Sequence, residues 1–164
     1  MMQAIVQDIK TKHNYHAMLP MDVEDLRALF METFGSCGAQ NDNDFLVLVL
    51  STEGYEEEVE LSLSEANTIC RRAAQAETEH GEDALNAFFE VYSVKDIKSI
   101  DEFTFHTSRE AYMDSLYNTY SLYDIPFLWG TIDMFLDDDD IFEQVMMNGS
   151  VYEANNGVIV EGEL

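Results

Sequence analysis

The residues with chemistry to offer are carboxylates. Residues 110–164 hold twelve of them and no Lys or Arg. Their densest point is Asp137-Asp138-Asp139-Asp140. Phe127, Leu128, Trp129, Ile132, Met134, Phe135 and Leu136 precede this run, and Ile141 and Phe142 follow it. Disordered acidic tails lack such residues, because chains of that kind cannot bury enough apolar surface to fold. The acids therefore belong to a folded surface that holds many negative charges close together. Paired carboxylates can also serve acid–base catalysis. Among 33 acids, however, close pairs arise by chance.

No other catalytic constellation stands out. Of the four histidines, His13 and His16 flank a turn, His80 ends a helix and His106 sits in a strand. None has a Ser, Cys or Asp partner that spacing assigns. The glycines fall at turns rather than in a phosphate-binding loop, and CxxC and HExxH are absent. His13, His16 and Cys37 are the nearest approach to a zinc set. Asp42-Asn43-Asp44 and Asp137 to Asp140 are oxygen-rich. Neither has the alternating ligands, sixth-position Gly and twelfth-position Glu of an EF-hand loop. No cofactor and no specific metal are expected.

The totals narrow the partners. The formal net charge is −25, and it is spread along the chain with a more neutral middle. Phosphate binding needs Lys and Arg, so nucleic acid is excluded as a direct ligand, and anionic membranes are disfavoured. Such an excess costs stability through self-repulsion and favours basic partners, cations or plain solubility. Duplex DNA carries one charge per ~1.7 Å of axis, so this charge matches the phosphates of roughly 12 base pairs. Cys37 and Cys70 read as reduced core thiols. Without an apolar leader or a spanning run, the cytoplasm is the expected compartment.

The elements that must position the acids read as α+β. Residues 2–9 and 14–19 pattern as strands. Asp22 caps a helix carrying Val23, Leu26, Leu29, Phe30 and Phe34, stopped by Gly35. Phe45 to Leu50 is the clearest strand. Ser62 and Glu65 have capping-box spacing before a helix that ends near Gly81. A second helix spans 82–92, and a short third begins at Ser93. Arg71 and Arg72 stand among many acids as an ion-pair network. Phe103 to Thr107 alternates as a strand, and Ser108 caps a helix to about Tyr120. Pro126 opens a helix over 127–135, which the four aspartates end. Acids are unfavourable at a helix C-terminus, which suggests a purpose other than stability. Residues 142–147 read as a strand, Asn148-Gly149 as a hairpin turn, and Val151–Ala154 and Val158–Val160 as closing strands. Three small sub-domains result: 1–61, sheet plus helix; 62–103, a helical bundle; 104–164, sheet plus helix.

The order of these pieces resembles the ArdA antirestriction proteins, acidic products of mobile elements, over nearly the full length. It rests on Leu19-Pro20-Met21-Asp22 leading into an acidic amphipathic helix, and on Ser62, Glu65 and Asn67 opening the helical middle. Ser93 to Phe103 closes that middle. The most specific part is the tail from Val145 through Asn148-Gly149, Tyr152 and Asn155-Asn156-Gly157 to Val160. The resemblance implies an elongated three-part homodimer, joined through its last third, that mimics bent B-form DNA. Such a molecule occupies the DNA-binding groove of type I restriction–modification enzymes and is itself no enzyme. The phosphate-mimicking candidates are Asp42, Asp44, Glu56, Glu57, Glu58, Glu60, Glu77, Glu79, Glu82, Asp83, Asp101, Glu102, Glu110, Asp114, Asp133, Asp137, Asp138, Asp139, Asp140 and Glu143. Tyr120, Tyr123, Phe127 and Trp129 are the candidate dimer contacts, against the plainer reading of ordinary core. The same charge would suit an inhibitor or adaptor of another DNA-binding machine, such as a CRISPR effector or a nucleoid protein. A calcium-responsive binding protein is the third alternative.

Overall fold

The computed structural model describes residues 1–119, 137–147 and 149–162. The chain is α+β, and its contacts gather into two compact units, Met1–Lys98 and Ser99–Leu164. The expected boundaries follow residues 61 and 103, whereas the contacts divide the chain after Lys98 and not at residue 61.

In the first unit, β1 (Met2–Asp8), β2 (Asn14–Leu19), β3 (Phe45–Thr52) and β4 (Tyr55–Ser62) form an antiparallel sheet in the order β2-β1-β3-β4. Alternation does the work along β1: Met2, Ala4, Val6 and Asp8 are buried and their neighbours are not. Against this inner face lies α1 (Val23–Phe34), through Leu26 and Phe30. The Phe30 ring meets Tyr15 of β2 at 5.7 Å and Phe45 of β3 at 5.4 Å between centroids. Gly35 ends α1 in the left-handed region (φ 71°), where a side chain would be strained. The Leu19-Pro20 peptide is cis.

The capping box expected at Ser62 forms in full. Ser62 accepts from the Glu65 N–H, and the Glu65 carboxylate accepts from the Ser62 N–H. It opens α2 (Leu63–His80), whose buried face of Leu63, Ala66, Ile69, Cys70, Ala73 and Ala76 packs on the sheet and on α3 (Glu82–Val91). Tyr55 of β4 stacks on Phe89 of α3, with centroids 5.1 Å apart. The helices that begin at residue 62 thus share one core with the sheet before it. A 3-10 stretch, Val94–Glu102, follows.

β4 is the strand that the sequence pattern hides. Glu is a poor strand former, and four occur between Tyr55 and Leu61. What makes the strand is the inward set Tyr55, Glu57, Val59 and Leu61, none of them as exposed as the outward Glu56, Glu58 and Glu60.

In the second unit, β5 (Phe103–His106), β6 (Val151–Glu153) and β7 (Ile159–Gly162) form an antiparallel sheet in the order β5-β7-β6. Ser108 caps α4 (Arg109–Thr119) as expected, accepting from the Ala111 N–H at 3.1 Å. The turn at Asn155-Asn156-Gly157 joins β6 to β7, with Gly157 at φ 82°.

Two expectations are overturned here. Residues 142–147 are not a strand: Asp138–Met147 is a helix, α5. Ile141, Phe142, Val145 and Met146 recur at helical spacing and pack on a core of Tyr112, Met113, Tyr117, Val151 and Ile159. Accordingly, Asp138, Asp139 and Asp140 form the first turn of this helix. Gly149 (φ 80°) follows α5, its N–H bonded to the Met146 carbonyl, so it does not join two strands. The helix expected over 127–135 lies outside the described residues.

Candidate acidic partner interface

The most ordered display of charge is the outward side of β4. Glu56, Glu58 and Glu60 are exposed there, and the strand pairs with β3 from Tyr55 to Glu58 and again at Leu61 and Ser62, with a register shift between. Alternate residues of a strand lie about 6.8 Å apart. That is twice the ~3.4 Å rise per phosphate along one DNA strand. Glu57, between them, points the other way. Its carboxylate accepts from the Tyr55 hydroxyl (2.6 Å), the Ser93 hydroxyl (2.7 Å) and the Val94 N–H (2.8 Å). Burial raises its pKa, but these three bonds and nearby Lys95 outweigh that and hold it below the ordinary value. The same burial, with the bond to Glu57, pushes the Tyr55 phenol up. Glu57 is a brace between β4 and the Ser93 turn, not a presented charge.

Asp42 and Asp44 are likewise half-buried. Asp44 accepts from the Lys10 ammonium at 2.9 Å and from the Gln40 N–H at 2.7 Å, and these bonds lower its pKa. Around the turn from α2 to α3, Glu77, Glu79, Glu82 and Asp83 are exposed. Glu79 is partly neutralised by Arg72, 2.9 Å away. This pair is one member of the ion-pair network expected of Arg71 and Arg72. Glu24 and Asp25 in the first turn of α1, with Asp22 just before it, are exposed acids that the candidate set omitted. Their helix-start signal was legible, but it pointed to capping.

The second unit carries Asp101, Glu102, Glu110, Asp114, Asp137 to Asp140 and Glu143, all exposed. The four aspartates divide their labour. Asp137 caps α5: its carbonyl accepts from the Ile141 N–H at 3.1 Å and its carboxylate from the Asp140 N–H at 2.8 Å. Asp138 accepts from the Tyr117 hydroxyl. Asp139 accepts from Arg109 at 2.7 Å. Arg109 also reaches Glu153 at 2.8 Å and lies 4.4 Å over the Phe142 ring. Those two carboxylates hold its pKa above the ordinary value. It is the only Lys or Arg in this unit. Asp133, Tyr120, Tyr123, Phe127 and Trp129 lie outside the described residues.

Asn67 joins α2 to the segment that leads into α1. Buried on α2, it accepts from the Met21 N–H at 2.9 Å and donates to the Met21 carbonyl at 2.8 Å. His106 pairs with Glu161 at 3.0 Å, and His13 stacks on Phe34. Among the described residues, His13, His16 and Cys37 do not converge as metal ligands, nor do the Asp42–Asp44 and Asp137–Asp140 stretches. No helix among them is long and apolar enough to cross a membrane. No protein-family model matches the chain, and no curated protein matches it.

Proposed function

We propose that this chain is a DNA-mimic inhibitor of the ArdA kind, which occupies the DNA-binding groove of type I restriction–modification enzymes and performs no catalysis. The observation that supports this best is the β4 display: Glu56, Glu58 and Glu60 outward on a strand pinned in a sheet. A loose acidic chain could carry as much charge, but it would pay ordering entropy on binding. A sheet holds the carboxylates in a row beforehand, about one for every second phosphate rise along a DNA strand. On this reading the molecule is a cytoplasmic homodimer, joined through Tyr120, Tyr123, Phe127 and Trp129. Its charge spreads over both units, consistent with the net −25.

Competition tests the proposal. The purified chain should displace DNA from a type I methyltransferase core, and more weakly as salt rises, because phosphate-like contacts release counterions. No displacement at low salt ends this reading. Displacement of DNA from a CRISPR effector or a nucleoid protein, but not from the methyltransferase, would redirect it to another DNA-binding machine.

A further inference from the structure

β3 is apolar on both faces. Phe45, Val47 and Leu50 are buried against the core, whereas Leu46, Leu48 and Val49 are half-exposed on the other side. An antiparallel sheet facing water normally alternates apolar-in with polar-out. Here a bulge breaks the alternation: Ile5 and Val6 of β1 face Val49 and Val47 of β3, leaving Leu48 as the extra residue. Leu48 and Val49 therefore stand side by side on the outer face. Val49 pairs in register with Ile5 on one side and Glu58 on the other. Ile5, Leu48 and Val49 floor a groove of about 650 Å³, and Glu58, Glu60 and Lys95 stand along it.

Resting on the mimicry reading, we propose that this groove docks a basic, amphipathic segment of the DNA-gripping enzyme. Aliphatic side chains of that segment cover Ile5, Leu48 and Val49, and its Lys or Arg side chains meet Glu58 and Glu60. Charge complementarity selects this occupant. A second copy of a chain with net charge −25 would bring more acid to a rim on which Glu58 and Glu60 outnumber Lys95. A purely polar basic segment would leave the aliphatic floor wet. The groove also offers something a phosphate backbone does not, an aliphatic contact beside the charges. Salt screens charge pairs but does not weaken apolar burial. The inhibitor therefore holds on at salt concentrations that release DNA.

A salt series with the purified methyltransferase core, the intact chain and cognate DNA tests this. The unmodified chain should keep at least about tenfold more affinity than DNA at the highest salt, a difference of ~1.4 kcal/mol. Leu48→Ser with Val49→Thr should lower affinity roughly tenfold at every salt and leave the salt slope unchanged. Glu58→Gln with Glu60→Gln should instead flatten the slope. If the floor variant binds as well as the unmodified chain throughout, the docking face is wrong and mimicry stands. If the floor variant fails to fold, the unmodified chain decides: affinity no better than DNA's at the highest salt overturns the proposal. A chain that displaces no DNA even at low salt overturns mimicry and the docking face together.

Discussion

Asp8 is an acid that works against the general pattern, because it never meets solvent. Its carboxylate accepts from the Lys10 N–H (2.9 Å), the Thr11 N–H (3.4 Å) and the Gly38 N–H (2.6 Å), tying the β1–β2 turn to the loop after α1. Gly38 has to be glycine for this approach, since a Cβ there would lie 2.7 Å from Lys10 Cβ. Burial alone would raise the Asp8 pKa, but the hydrogen bonds from Gly38, Lys10 and Thr11 prevail and hold it below 3.8. A depressed folded pKa contributes stability above the unfolded value, lost as pH falls through the folded one. Asp8→Asn can satisfy only one side of the site, so it should cost about 1–3 kcal/mol at neutral pH in urea unfolding. The gap between variant and parent should narrow only below the ordinary value of 3.8. A gap that is constant from neutral pH through that range would refute the role. The thiols make a second prediction at this scale. Burial pushes Cys70 up to about 11, whereas Cys37 is half-exposed. A thiol reagent at pH 8 should label Cys37 in the native protein and reach Cys70 only after unfolding, as peptide mapping would show.

Among the elements, α5 shows how position reverses the meaning of a sequence. Four aspartates at a helix C-terminus oppose the dipole; in a first turn they complement it, each by about 0.3–1 kcal/mol. Asp137→Ala removes the cap and should cost about 1 kcal/mol in thermal unfolding. Asp140→Asn should cost only a few tenths, because Asn keeps the shape and loses only the favourable charge. Equal effects would show that Asp137 is not the cap. The helices α1, α2 and α3 were legible because periodic apolar residues and end signals agree, with Ser62 and Glu65 the clearest case. α5 was not, because its apolar face spans Ile141 to Met146 and reads as a helix only when the aspartates are counted as its first turn. β4 escaped notice because acids mask its period of two. Of the candidate acids, the outward ones on β4 were legible by type alone. The bracing role of Glu57 was not, since its partners Ser93 and Val94 are distant in sequence.

For the whole molecule, distributed charge predicts a graded response. Any single neutralisation among Glu56, Glu58 and Glu60 should change DNA displacement by less than about fivefold, since exposed charges each contribute ~1 kcal/mol or less. Removing all three should weaken displacement clearly and reduce the salt slope, as competition at several ionic strengths would reveal. A single substitution that abolished displacement would point to one specific contact instead. A further consequence follows from strand order. All four strands of the first sheet are complete by Ser62, whereas β7, the central strand of the second, begins at Ile159. On the ribosome, at roughly 5–20 residues per second, the early sheet has several seconds to close before the late one can. Until then β5 has emerged without the neighbour it will bond. The nascent second unit is the one that a chaperone would find open.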